Sequence, residues 1–448
     1  MKTKTNLLIA LTLVMTAWGC RKEVVTTNLD ESLSDILAEA ASGKGLSYFK
    51  LPASDHFQSI PQDPKNPLTK EKVLLGKLLF HETALAVNPR IEGGSNTYSC
   101  ASCHHAGGGF QANVQQGIGE GGIGYGNTGE ERHANPLYVS DSLDLQPLRT
   151  PSAMNGAWQE LMLWNGQFGA TGANASTQSQ WTPGTPKETN TLGYQGLEIQ
   201  AIAGLKVHRM DVDTQLLFKY GYQELFDMAF PDIPASKRYT REMAGLSIAA
   251  YERTIISNQA PFQKWLDGDH DAMTEDEKLG AVLFFGKANC VNCHTGPALS
   301  SMEFHALGMN DMLAGQPVIK DAAEAENANK GRGGFTGNAS ENYQFKVPQL
   351  YNLSNSAFYG HGGTFTSLKD VVIYKNTAVA ENSKVPTSQL SSEFNPLELS
   401  SEEVDQLTSF MMYALNDPNL NRYEPDHVMS GQCVPNNDVV SQISRGCK

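Results

Sequence analysis

Two five-residue runs, Cys100-Ala101-Ser102-Cys103-His104 and Cys290-Val291-Asn292-Cys293-His294, hold the residues best placed to do chemistry in this 448-residue chain. Two thiols spaced by two residues share one helical turn, so both can add to the vinyl groups of one haem. The histidine that follows reaches the iron from the same face. Rival uses of the same residues fare worse. A Cys2His2 zinc site needs a second ligand pair at finger-like spacing, and these motifs stand 190 positions apart. A thioredoxin-type thiol pair wants a βαβ context, and no long alternating pattern suggests an extended sheet. The motifs therefore predict two covalently attached haems c, one on Cys100, Cys103 and His104 and one on Cys290, Cys293 and His294.

Each motif needs a rigid element to deliver it. Leu75-Gly76-Lys77-Leu78-Leu79-Phe80 precedes the first, and Leu279-Gly280-Ala281-Val282-Leu283-Phe284 precedes the second. Thr69 and Thr274 stand as N-caps before them, and Glu277 completes a capping box with Thr274. Leucines recur at helical spacing in both, so the chain reads as an internal duplication of an amphipathic helix followed by a haem motif. Further helices are predicted over 240–256 and over 400–415, the latter opened by a Ser400/Glu403 capping box. Loops at 92–130 and 168–195 are long enough to wrap a ligand or a partner. The run 117–124, GIGEGGIG, fits GxGxxG twice but lacks the strand before it and the helix after it. It reads as a flexible loop over a haem edge rather than a dinucleotide site. The predicted fold class is mainly α, with two cytochrome c-like haem domains with long loops, at 61–268 and 269–425.

Lys2 and Lys4, the apolar run Leu7 to Ala17 and then Gly19-Cys20 predict an export signal over 1–19 with Cys20 as lipid acceptor. The apolar run is shorter than the roughly 20 residues that span a bilayer. Residues 20–60 read as a polar tether from lipid to first domain, placing the protein on the periplasmic side of the envelope, held to the membrane by lipid alone. Removing residues 1–19 takes away two lysines and no acid, so the net charge falls from −14 to −16. That acidity argues against nucleic acid and suits a small basic protein partner, or simply solubility. Of seven cysteines, the two left near the end, Cys433 and Cys447, are predicted to form a disulfide in the tail 426–448.

The sequence resembles the bacterial di-haem cytochrome c peroxidases and their MauG-like relatives from about Asn66 to Leu415. The resemblance rests on NPLTKEKVLLGKLLF, CASCHHAGGGF, TPSAMN with LWNG, LEIQA, AAYERTIISNQAPFQKWLDGD, KLGAVLFFGKANCVNCHTGPALS, FKVPQLYNLSNSAFYGHGGTFTSLKDVV and the 400–415 helix. It implies that the His104 haem is peroxidatic, that the His294 haem relays electrons, and that Trp164 lies between them as a bridge. Relatives carry a catalytic glutamate shortly after LEEQA. Here LEIQA leads to His208-Arg209. A histidine can take the peroxide proton and an arginine can stabilise the departing oxygen, or the two can bind a haem propionate. His133 falls in the loop where relatives carry a removable histidine ligand to the peroxidatic iron, and His105 reads as a surface residue.

Two further departures bear on cofactors. Where relatives place the relay ligand, a methionine or a tyrosine, this chain has Gly360, followed by His361. His361 becomes the candidate iron ligand there, with Met302, Met309 and Met312 as outside candidates. Where relatives have an asparagine that helps hold calcium, Arg149 stands, which counts against calcium. The resemblance also allows a homodimer, which no segment of this chain specifies. Three functions follow: a peroxidase reducing hydrogen peroxide with electrons from a small redox protein such as a cytochrome c, a MauG-like oxidase of a partner protein or organic substrate, and a non-catalytic di-haem electron carrier.

Overall fold

A computed structural model of the chain describes residues 28–312 and 322–447. The signal segment and Cys20 lie outside the described residues. The fold is mainly helical, as expected, and strand pairing among the described residues is confined to isolated bridges and two antiparallel ribbons. One ribbon pairs Gly122–Ile123 with His133–Ala134, the other Phe304–His305 with Phe345–Lys346.

Both lead helices form where the caps place them. Lys70–His81 follows Thr69, whose hydroxyl accepts from Lys72 N at 3.2 Å, and Glu275–Phe285 follows the Thr274/Glu277 capping box. The repeated glycine does the same work in each copy. A Cβ on Gly76 would lie 1.8 Å from the Ser247 carbonyl oxygen in the helix Arg241–Arg253, and one on Gly280 would lie 2.0 Å from the Gln406 carbonyl oxygen in the helix Ser401–Ser409. Each lead helix therefore packs backbone to backbone against a later helix, and a larger residue would drive the two apart. Arg241–Arg253 stops short of 256, and Ser401–Ser409 continues as the π turn Phe410–Ala414. The helix Gly196–Val207, over LEIQA, carried no amphipathic signal because it is buried on most sides, by Leu197, Ile199, Ile202 and Leu205 among others.

Apolar side chains gather in two cores. Leu75, Leu79 and Phe80 meet Leu197, Leu246 and Tyr251 in the first. Leu283, Phe284 and Phe285 meet Phe262, Tyr351 and Phe410 in the second. The reading of 20–60 as a tether does not hold from residue 28 onward. Leu29–Ala40 is a helix whose Leu33 and Leu37 are fully buried in the second core together with Phe49, Leu51 and Ile60. Asp30 fixes it in place, accepting from Trp265 Nε1 at 2.7 Å and pairing with Lys278 Nζ at 2.8 Å. Leu33, Ile36 and Leu37 are spaced i, i+3, i+4, which gives the segment one apolar face to bury. The border at 268 moves as well, because Ile256, Phe262, Trp265 and Leu266 already belong to the second core.

The tail returns to the first motif. Ser99 Oγ donates to the Pro435 carbonyl at 2.8 Å, Asn437 N to Thr97 O at 3.0 Å, and Gly124 N to Asp438 Oδ1 at 3.1 Å. Cys433 and Cys447 are joined by a disulfide, with Cα atoms 5.8 Å apart. Among the described residues no helix is long and apolar enough to cross a membrane.

Candidate paired haem sites

At the first motif the chain makes one 3-10 turn, Cys100–Ser102, closed by Ser102 Oγ accepting from Ser99 N at 2.9 Å. His104 N donates to Cys100 O at 3.1 Å, so the histidine follows without a break. His104 Nδ1 lies 3.1 Å from the Phe110 carbonyl oxygen. A carbonyl only accepts, so Nδ1 carries the proton and Nε2 keeps its lone pair for a metal. Burial pushes the ring's pKa down to about 4, holding it in the neutral form that ligates. Cys100 and Cys103 are unpaired, and burial pushes their thiols up to about 12 and about 11.

The second motif repeats this construction. Cys290–Asn292 is again one 3-10 turn, His294 N donates to Cys290 O at 2.9 Å, and His294 Nδ1 lies 3.1 Å from both the Leu299 and Pro348 carbonyl oxygens. Burial again lowers the imidazole to about 4. Cys290, Cys293 and His294 line a cavity of about 470 Å³ together with Trp164, Met309 and His361. His361 is buried, stacked on Phe345 with centroids 3.8 Å apart, its Nε2 3.4 Å from Asp311 Oδ1. Met302 and Met312 do not line the cavity.

Of the four cationic side chains that line it, Lys287 is paired with Glu403, and the described residues give Arg149, Lys346 and Lys375 no carboxylate partner. Arg149 donates to Gln111 Oε1 at 2.7 Å and to Ser356 Oγ at 2.9 Å, while its buried Nε stays unbonded. Lys346 bonds Gln159 Oε1 and, at 2.8 Å, the Leu161 carbonyl. Burial pulls Arg149 down to about 10, Lys346 to about 7 and Lys375 to about 8. Asp311 and Glu393 also line the cavity, but neither is paired with these three cations, whose burial favours an anionic occupant. Haem, with its two propionates, supplies that charge, so the residues present fit the group.

Trp164 is set between the two motifs' surroundings by its neighbours. It lines the second cavity, its ring centroid is 6.5 Å from that of His361, and its Nε1 donates to the Arg149 carbonyl at 2.8 Å. Two residues on, the Pro151 carbonyl acts on the His104 ring of the first motif.

Beside the first motif, the two adjacent candidates part company. His208 caps the Gly196–Val207 helix, and its Nδ1 is 2.8 Å from Asp144 Oδ2. Burial alone would lower the His208 pKa, but the charge and hydrogen bond of Asp144 outweigh it and the net shift is upward. His208 is also close enough to depress His104. Arg209, with φ +59°, turns the other way to pair with the buried Glu120 and donates to Ser142 O at 2.8 Å. It ties down the surrounding loops, and of the two it is His208 whose charge acts on the His104 ring. The run 117–124 is likewise pinned rather than free. A Cβ on Gly117 would lie 3.0 Å from Cys103 Sγ, a Cβ on Gly119 2.1 Å from Asp144 Oδ2, and Arg132 donates to the Ile118 and Gly119 carbonyls at 2.7 and 2.9 Å.

His133 is not brought to the site. It is exposed on the first ribbon, its Nδ1 2.7 Å from Glu131 O, and no described contact joins it to Cys100, Cys103 or His104. His105, expected at the surface, is buried, accepting from Gly108 N at 3.1 Å to brace the turn after the motif. Calcium does not fit at Arg149, because a guanidinium already takes the oxygens of Gln111 and Ser356 and would repel a second cation. Sequence reasoning missed Asp144, Lys346 and Lys375. Lys346, set between Phe345 and Val347, carried a signal as a lysine within an apolar run, whereas Asp144 sits in a loop without periodicity.

Two matching haem-motif turns, each delivered by a glycine-notched helix, define a di-haem c-type cytochrome fold. The chain belongs to the di-haem cytochrome c peroxidase family, an oxidoreductase family that includes MauG, whose model matches residues 70–271. It is 30% identical to the methylamine utilization protein MauG of Methylorubrum extorquens over 79% of this chain and 81% of that one. It is 26% identical to the cytochrome c551 peroxidase of Nitrosomonas europaea over 83% of this chain and 86% of that one. Among solved structures, a MauG-like protein associated with microbial copper homeostasis shares the fold with a TM-score of 0.54 at 21% identity, covering 83% of this chain and 95% of that one.

Proposed function

We propose that the chain is a peroxidase that binds two haems covalently, through Cys100/Cys103 and Cys290/Cys293, and reduces hydrogen peroxide at the first. The bound haems supply the electrons and the Lewis-acid site, and the balance is one peroxide, two protons and two electrons to two waters. The observation that carries this reading is the His208–Asp144 pair beside His104. With Nδ1 held by the carboxylate, His208 Nε2 is free to take a proton from one peroxide oxygen and return it to the other, which leaves as water. Trp164 and the Arg149–Pro151 backbone link the two sites, so electrons entering at the His294 site reach the first. The donor would be a small redox protein with a basic face, matched to the acidic surface. Export, a lipid on Cys20 and a periplasmic location belong to the same reading and rest on the N-terminal sequence. Rapid mixing of reduced holoprotein with peroxide is the test. Oxidation of the haems within the mixing experiment supports the proposal, and haems that stay ferrous for minutes overturn it.

A second reading, oxidation of a partner protein in the manner of MauG, is favoured by Gly360, which removes the methionine that peroxidase relatives carry there. It requires a peroxide-generated state that persists and no turnover with reduced cytochrome c.

A further inference from the structure

We propose that Met309 supplies the second axial ligand of the iron held by His294. The inference rests on the two-haem reading and is independent of peroxide chemistry. Met309 lines the same cavity as Cys290, Cys293 and His294, and so does Gly360. Gly360 has φ +80°, and a Cβ there would have Met309 Sδ, at 3.3 Å, as its sole neighbour within 4 Å. The sulfur therefore occupies the space that a side chain at 360 would enter, arriving from a different segment of the chain. That segment is anchored on both sides of the sulfur's Cα. The Gly308 carbonyl accepts from Glu381 N at 3.0 Å and Asn382 N at 2.8 Å, and the Met309 carbonyl accepts from Asn382 Nδ2 at 3.3 Å.

Several of the other donors around the cavity are engaged elsewhere. His305 is bonded at both nitrogens, to Ser391 Oγ at 2.8 Å and Glu303 Oε2 at 3.2 Å. The Tyr359 hydroxyl donates to Leu353 O at 2.9 Å, and Met411 is packed in the second core. His361 is held between Phe345 and Asp311. A thioether has no proton to lose and no hydrogen bond to give up, so Met309 binds iron without dismantling any contact in the wall. Imidazole and thioether together make a low-spin iron of raised potential, which suits an electron-accepting site.

The test uses ferric holoprotein carrying both haems, scanned for the near-infrared charge-transfer band of methionine bound to iron(III). Alongside it, fully reduced protein labelled with 13C-methyl methionine is read for a methyl resonance shifted far upfield by the haem ring current. Both signals are expected in the native protein, lost in Met309→Leu and kept in Met302→Leu and His361→Gln, and the potential of the second haem should fall with them. Met309→Gln, which keeps the side-chain length, serves if the leucine variant does not fold. No band in the native protein, or a band that survives Met309→Leu, overturns the proposal. Loss of peroxide turnover with the band intact would count against the peroxidase reading alone.

Discussion

The indole N–H of Trp164 donates to the carbonyl of Arg149 at 2.8 Å. Arg149 lines the second cavity, while the Pro151 carbonyl, two residues on, acts on the His104 ring, so this bond fastens the tryptophan to a stretch of backbone shared by both sites. Trp164→Phe keeps an aromatic ring but leaves the buried carbonyl unpaired, at a cost of about 1–3 kcal/mol. Thermal unfolding should register that loss. Flash or stopped-flow reduction should show slower equilibration between the haems, and an unchanged rate would remove Trp164 from the path.

His208→Gln should lower the rate of peroxide reduction by about 10²-fold or more, the usual scale for losing a general acid–base. Asp144→Asn should lower it less and change its pH profile. The sign follows from the raised pKa of His208. Stability from the charged pair is complete below the unfolded value of about 6.5 and fades as pH rises through the folded value. The stability gap between native protein and Asp144→Asn should therefore shrink on going from acid to alkaline pH, and a gap that widens would reverse the assignment.

Lys346 has a pKa depressed to about 7 by burial in the haem-free chain. Between that value and its unfolded value of about 10.4, the unfolded chain binds the extra proton, so haem-free protein should gain stability as pH rises through this range. Pairing with a propionate cancels the gain in the holoprotein. Denaturant titrations of the two forms, with Lys346→Met as control, measure the difference.

Activity should survive a calcium chelator, because Arg149 already fills its site with a cation. Restoration of chelator-treated enzyme by added calcium would show that the ion binds after all.

The tail disulfide closes a 14-residue separation and should be worth about 3 kcal/mol in the chain-entropy account. Asp438, inside that loop, holds Gly124 at 3.1 Å and lies 3.8 Å from Arg132, which in turn holds the 117–124 run. Reducing the bond should accelerate amide exchange at 117–124 in step with the tail. Exchange unchanged there would uncouple the two.

Much of this architecture was legible in the residues. Thr69, Thr274 and Ser400 cap helices because a side-chain oxygen at an N-cap acts locally, and the paired motifs announce their chemistry through spacing alone. The twin glycines marked the duplication, but their purpose, close approach to Ser247 and Gln406, belongs to partners far along the chain. The same distance hid the rest. Leu33 and Leu37 look like part of a polar tether until a second core is present to receive them, and Arg209 looks catalytic until Glu120, 89 residues away, turns it aside. Asp144 and Met309 meet their sites only through loop geometry that no periodicity encodes.

Peptide mass spectrometry of the matured protein, paired with a pyridine haemochrome assay, tests the paired-haem account at its root. Two haems per chain are expected, one on the peptide containing Cys100 to His104 and one on that containing Cys290 to His294, with all four thiols closed to alkylation. A colourless protein, or one in which either cysteine pair takes up the alkylating reagent, would contradict it.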